Sequence, residues 1–175
     1  HGLREVGVNE TGDEGPLTLP ADPATVLAGA RVVLDAAWRE QGYTVPSTTV
    51  YPFQWLWDSC FHALTWAVLG EGERARRELA HLFRTQTPLG CVPHVDYEHD
   101  PTHHAEFWGR EGRSSITQPP MFGHAVAMLD GLGVPVDDLV EPATRGLEFL
   151  LRHRARVEGL VALCHPWESG GDDCP

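Results

Sequence analysis

No stretch of this sequence stays apolar for long enough to cross a bilayer. The first twenty residues, rich in Gly, Glu and Asp, contain no apolar core of the kind a secretory leader needs. The cytoplasm is therefore the expected location. None of the four cysteines, Cys60, Cys91, Cys164 and Cys174, stands at C-x-x-C spacing from another, which removes the usual zinc and redox motifs. Two lie in apolar runs and read as small buried hydrophobes. All four are expected as free thiols in a reducing compartment. Basic residues are scarce, 13 against 25 acidic ones, for a net charge of -12. That balance argues against nucleic acid and anionic membranes as partners, and suits a soluble protein acting on a neutral ligand. No internal repeat is strong enough to indicate a solenoid.

What remains is 175 residues of ordinary globular composition, 42% hydrophobic and 22% charged. Residues 1–20 read as a flexible lead-in. Asp22-Pro23 supplies a helix cap and a proline suited to the first turn. Val26, Leu27, Ala30, Val33, Leu34, Ala37 and Trp38 then recur at helical spacing, up to a stop at Gly42. A second helix is predicted from about Trp57 to Leu69, with Phe61, Leu64, Thr65 and Val68 as its apolar stripe. A third carries Ala75, Leu79, Leu82 and Phe83 inward, with Arg74, Arg76, Arg77 and Glu78 outward. Residues 87–118 show little periodicity, and connections of that length are often functional. A fourth helix is predicted from Pro119-Pro120, and a fifth from Asp137 or Asp138. Pro142 would lie in the fifth helix's first turn, and Leu147, Leu150 and Leu151 on its core side. Leu160 to Leu163 reads as a short strand and 164–175 as a loop. The chain is thus mainly α, with long and short connections alternating.

Four clusters could carry chemistry. Tyr51-Pro52-Phe53-Gln54-Trp55-Leu56-Trp57-Asp58 sets aromatic rings, an amide and a carboxylate at a helix mouth. Flat rings cover the apolar faces of sugars, and Gln or Asp side chains bind their hydroxyls. The plainer reading is core tryptophans and a capping aspartate. Ser114-Ser115-Ile116-Thr117-Gln118 precedes a helix start, where Gln118 would face a ligand or merely help cap. His165-Pro166-Trp167-Glu168-Ser169-Gly170-Gly171-Asp172-Asp173 combines a tryptophan, carboxylates and two glycines. Glycine permits close backbone approach to a ligand, and a carboxyl beside a tryptophan can keep its proton near neutral pH as a general acid must. Its alternative is an exposed acidic turn. His94, Asp96, His99, Asp100, His103 and His104 have the residue types of a metal site but match no metal-site spacing, and part of that loop is expected to face substrate instead.

The segments YPFQWLWDSCFHA, RARRELAHLFRTQ with CVPHV, SSITQPP and HPWESGGDD, in that order, resemble glycoside hydrolase family 63, nearest its bacterial mannosylglycerate and glucosylglycerate hydrolases. The resemblance implies an (α/α)6 toroid, of which 21–175 would supply roughly the first half. It implies an inverting glycosidase acting on a short α-glycoside, with no cofactor and no metal. The family's acid falls on Asp172, although this chain has Asp173 where the family has Asn, so the choice between the two aspartates stays open. Its sugar-binding positions fall on Tyr51, Trp55, Trp57, Asp58, Gln118, Trp167 and Gly170, with Gln54 and Glu168 alongside. The family's base, a Glu near the far end of its domain, has no counterpart in these residues. The segment alone is therefore expected to be inactive and to expose apolar helix faces. Arg110 and Arg113 are candidate contacts for a glycerate carboxylate. A trehalase-like or oligosaccharide α-glucosidase on the same fold, and a non-catalytic sugar-binding domain, are the alternatives. The oligomeric state stays open.

Overall fold

The computed structural model describes residues 22–171. The expected lead-in, and Asp172, Asp173 and Cys174, lie outside the described residues. Helix α1 spans Pro23–Ala37 and opens as the sequence predicts: Asp22 Oδ1 accepts from the Ala24 and Thr25 amides at 2.9 and 3.2 Å. It does not run to Gly42. Trp38 turns extended, and β1 (Trp38–Arg39) pairs antiparallel with β2 (Tyr43–Thr44) around Gly42, whose φ of +108° suits glycine. The next pair, β3 (Gln54–Trp55) and β4 (Val95–Asp96), is also antiparallel, with Trp55 opposite Val95. Between them lie α2 (Leu56–Val68) and α3 (Gly72–Phe83). A short α4 (Ala105–Trp108), then α5 (Phe122–Gly131) and α6 (Asp137–His153), follow. A hairpin of β5 (Arg156–Val157) and β6 (Leu160–Val161) leads into a 3-10 turn at Pro166–Ser169.

Helix α2 packs chiefly on α3 and then on α5, and α5 packs on α6. One core joins them. Leu56, Cys60, Ala63 and Trp66 come from α2, Ala75, Leu79, Leu82 and Phe83 from α3, Phe122, Ala125, Val126 and Leu129 from α5, and Leu139 and Ala143 from α6. Gly146 lets α6 approach α5: a Cβ there would sit 2.8 Å from the Phe122 ring.

Several predicted faces are turned. On α2 the larger residues Phe61 and Val68 are exposed, and the smaller Ser59, Cys60 and Ala63 are buried. Small residues on the inner face let α3 pack close. On α6, Leu147 and Leu151 lie at the surface, while Leu139, Ala143 and Gly146 face the core. On α1 only Leu34 and Ala37 are buried, and Val33 is 66% exposed. Among the described residues little packs on that side of the helix. Glu78, predicted on an outer face, is completely buried. Helix α5 starts at Phe122 rather than at the prolines, and Pro142 lies beyond the first turn of α6. Of the cysteines, Cys60 is buried, Cys91 half-buried and Cys164 exposed, and all three are free thiols. Among the described residues no helix is long and apolar enough to cross a membrane.

Candidate carbohydrate site

The β3–β4 pair places Trp55 and His94 side by side. Strand alternation sends Trp55 to one face and Gln54 to the other. Trp55 packs edge-on against His94, with centroids 5.3 Å apart, and against Tyr51 at 5.5 Å. The chain between β4 and Ser114 arches outward and closes at its base, where Tyr97 N–H donates to Gly112 O at 2.9 Å. It returns Phe107 and Trp108 to the same place, and Trp108 anchors through its Nε1–H to Tyr97 Oη at 3.1 Å. Trp167, on the 3-10 turn, meets Trp108 edge-on at 6.2 Å and lies tilted against His94 at 6.0 Å. The result is a cavity of about 280 Å³ walled by Tyr51, Phe53, Trp55, His94, Trp108 and Trp167. His103, His104 and Phe107 also border it.

Two buried polar atoms of this wall, Trp55 Nε1 and His94 Nε2, have no hydrogen-bond partner among the described residues. Buried donors and acceptors are normally satisfied, so these two atoms are unusual, and both belong to residues that border the cavity. Burial lowers the His94 imidazole to about 4, so it is neutral near pH 7. Its Nδ1 lies 2.6 Å from Ser114 Oγ, which fixes the ring.

The sequence-predicted residues divide among different surroundings. Tyr51, Trp55 and Trp167 converge on the cavity. Trp57 does not line it. Its ring lies against Gly170, where a Cβ would come within 2.8 Å, and its backbone N–H donates to Gln118 Oε1 at 3.3 Å. Gln118 is buried beside that contact and borders a separate apolar groove with Leu147, Leu151 and Leu163. Gly170, at φ +73°, thus packs on protein rings. Asp58 lies in the first turn of α2.

Two assignments are corrected. Gln54 is buried and its amide is spent internally, with Nε2 donating to Glu78 O at 3.0 Å and Oε1 2.6 Å from His81 Nδ1. Glu168 is buried as well, and Arg154 grips it at 2.8 and 2.5 Å. It also accepts from the Cys164 and Thr117 amides at 2.7 and 3.3 Å. Burial works to raise this carboxyl, yet the guanidinium and the two amides hold it below the usual range. Glu168 therefore anchors the turn that presents Trp167 and has no free edge for a sugar.

Arg110 and Arg113 border a different concavity, with Cys91, Ser115 and Phe149, away from the aromatic cavity. Of the histidines of the metal alternative, His94, His103 and His104 border the aromatic cavity, with the last two rings 4.1 Å apart, while His99 lies beside Arg39 and Phe53. Among the described residues no group of three or more His, Cys, Asp or Glu side chains could hold a metal ion. Reading the sequence missed Phe107 and Trp108 as wall. Their signal was present in the aromatics of the long connection, but the connection has no period to say which way they point.

The model of the mannosylglycerate hydrolase MGH1-like glycoside hydrolase domain matches residues 51–175. The chain belongs to this family. It is 40% identical over 151 residues to a mannosylglycerate hydrolase of Thermus thermophilus, covering 76% of this chain and 36% of that protein. It is 36% identical over 178 residues to a mannosylglycerate hydrolase of Rubrobacter radiotolerans, covering 89% of this chain and 40% of that one. The crystal structure of a family 63 mannosylglycerate hydrolase from Thermus thermophilus, in complex with Tris and D-glycerate, superposes with a TM-score of 0.74 at 35% identity. That match covers 85% of this chain and 38% of the other. The chain therefore spans well under half the length of these relatives. Its paired helices form an arc of the helical toroid expected from the sequence.

Proposed function

We propose that this chain carries the sugar-binding wall and the general acid of an inverting glycoside hydrolase acting on a short α-glycoside of glyceric acid, mannosylglycerate or glucosylglycerate. The observation that carries the reading is the aromatic cavity, on which Tyr51, Trp55 and Trp167 converge. Rings of this kind cover the C–H faces of a pyranose. The names of the relatives support the glycerate aglycone.

In this mechanism Asp172 protonates the departing glycosidic oxygen while a second carboxylate activates water on the opposite face. The two carboxyls stand roughly 6.5–9.5 Å apart. In sequence Asp172 follows a turn that Arg154 and Glu168 fix. The base belongs to polypeptide outside these 175 residues, and 21–175 form one catalytic domain with it.

The test uses the full-length hydrolase. Asp172→Asn is expected to abolish turnover of mannosylglycerate while D-mannose still quenches tryptophan fluorescence with the parent's affinity. Trp55→Ala is expected to lose that quenching. Retained turnover in the Asp172 variant overturns the acid assignment, and retained sugar binding in the Trp55 variant overturns the cavity as the subsite. Sugar binding with no turnover of any α-glycoside by the parent would favour a binding domain.

A further inference from the structure

The wall of the cavity rests on strands of two residues each, too short to hold their own register. Side chains behind them do that work. His81, on α3, is 6% exposed and reaches a residue on each side of the strand pair. Its Nδ1 is 2.6 Å from Gln54 Oε1 on β3, and its Nε2 is 2.9 Å from Glu98 Oε2 just past β4. Gln54 is pinned further by its bond to Glu78 O, and Glu98 by Arg84 and by its own N–H, which donates to Asp96 Oδ1 at 2.8 Å. The Tyr43 ring covers the imidazole at 4.4 Å. None of these groups borders the cavity. Since neighbours on a strand face opposite ways, the residue His81 holds is the one that aims Trp55 outward.

We infer that His81 is a positioning residue for the sugar-binding wall: by spanning Gln54 and Glu98 it sets the separation of β3 from β4, and so the right angle between the Trp55 and His94 rings. This rests on the proposed sugar site. Loss of the clasp should loosen sugar binding and leave the bond-breaking step nearly untouched, because no clasp residue borders the cavity in which the sugar would sit.

The experiment uses the full-length protein with His81→Phe, which keeps a flat ring without donors, His81→Gln, which keeps a donor and an acceptor, and Glu98→Gln. D-Mannose affinity, KM and kcat for mannosylglycerate, and the near-ultraviolet circular dichroism of the tryptophans are measured. His81→Phe is expected to raise KM and the mannose Kd roughly tenfold, with kcat changed less than about twofold. Its aromatic dichroism should be altered, and His81→Gln should recover most of the loss. Glu98→Gln should shift KM in the same direction by less, and it decides the matter if His81→Phe does not fold. Unchanged KM and dichroism in a folded His81→Phe protein, or a His81→Gln variant no better than His81→Phe, overturns the clasp. If the parent binds no mannose, the proposed function fails, and the dichroism of the three variants still judges the clasp.

Discussion

Glu78 is fully buried, and its carboxyl group accepts from the Thr44 amide and the Ser59 hydroxyl, each at 2.7 Å. Burial pushes this carboxyl up to about 8 from 4.5. The folded chain thus keeps a proton that the unfolded chain gives up, and stability should fall as pH rises between those values. His62 and His94 act on the other flank. Burial lowers both to about 4 from 6.5, so the unfolded chain binds their protons first and stability should fall as pH drops through that range. Between pH 6.5 and 8 the Glu78 effect stands without theirs. Urea midpoints there are expected to decline for the parent and to stay level for Glu78→Gln; an equal decline in both would reject the assignment. Glu78→Ala strands both donors and should cost about 3 kcal/mol in urea denaturation. The burial of Glu78 was not legible from the sequence, since a glutamate among three arginines reads as a solvated helix face. Its partners come from residues 19 and 34 positions away.

At the level of elements, existence was more legible than orientation. Every predicted helix is present, because apolar spacing, the Asp22 cap and the glycine stops act locally. Which side of α2 and α6 faces the core depends on neighbours, and close packing favoured Ser59, Ala63 and Gly146 over the larger Phe61 and Leu147. Gly146→Ala tests that packing. A methyl would meet the Phe122 ring, and the substitution should destabilise by about 1–3 kcal/mol despite alanine's better helix propensity. A rise in melting temperature would show that the two helices can part freely. Asp22→Ala should destabilise α1 by uncapping it. Hydrogen exchange should register it in α1 and leave the α2–α3 pair unchanged. The site was legible in part for the same reason. Tyr51, Trp55 and Trp167, singled out by type and order, border one cavity, whereas Gln54 and Glu168 have ligand-binding chemistry that the fold spends internally.

Taken whole, the described arc leaves apolar residues at the surface of three helices: Val26 and Val33 on α1, Phe61 and Val68 on α2, Leu147 and Leu151 on α6. Residues 1–175 prepared alone are expected to bind an apolar dye strongly and to hydrolyse no mannosylglycerate. Turnover by that preparation would locate a base among these residues. The grip of Arg154 on Glu168 has a wider meaning. Arg154 caps the end of α6, so its direction is set by the phase of that helix. One alanine inserted ahead of Arg152 would swing the guanidinium by roughly 100° and advance it about 1.5 Å. The turn bearing Trp167 would then come adrift with every side chain of the cavity wall still present. Residue count along α6 is thus part of what specifies the pocket, a register that substitutions preserve and insertions break.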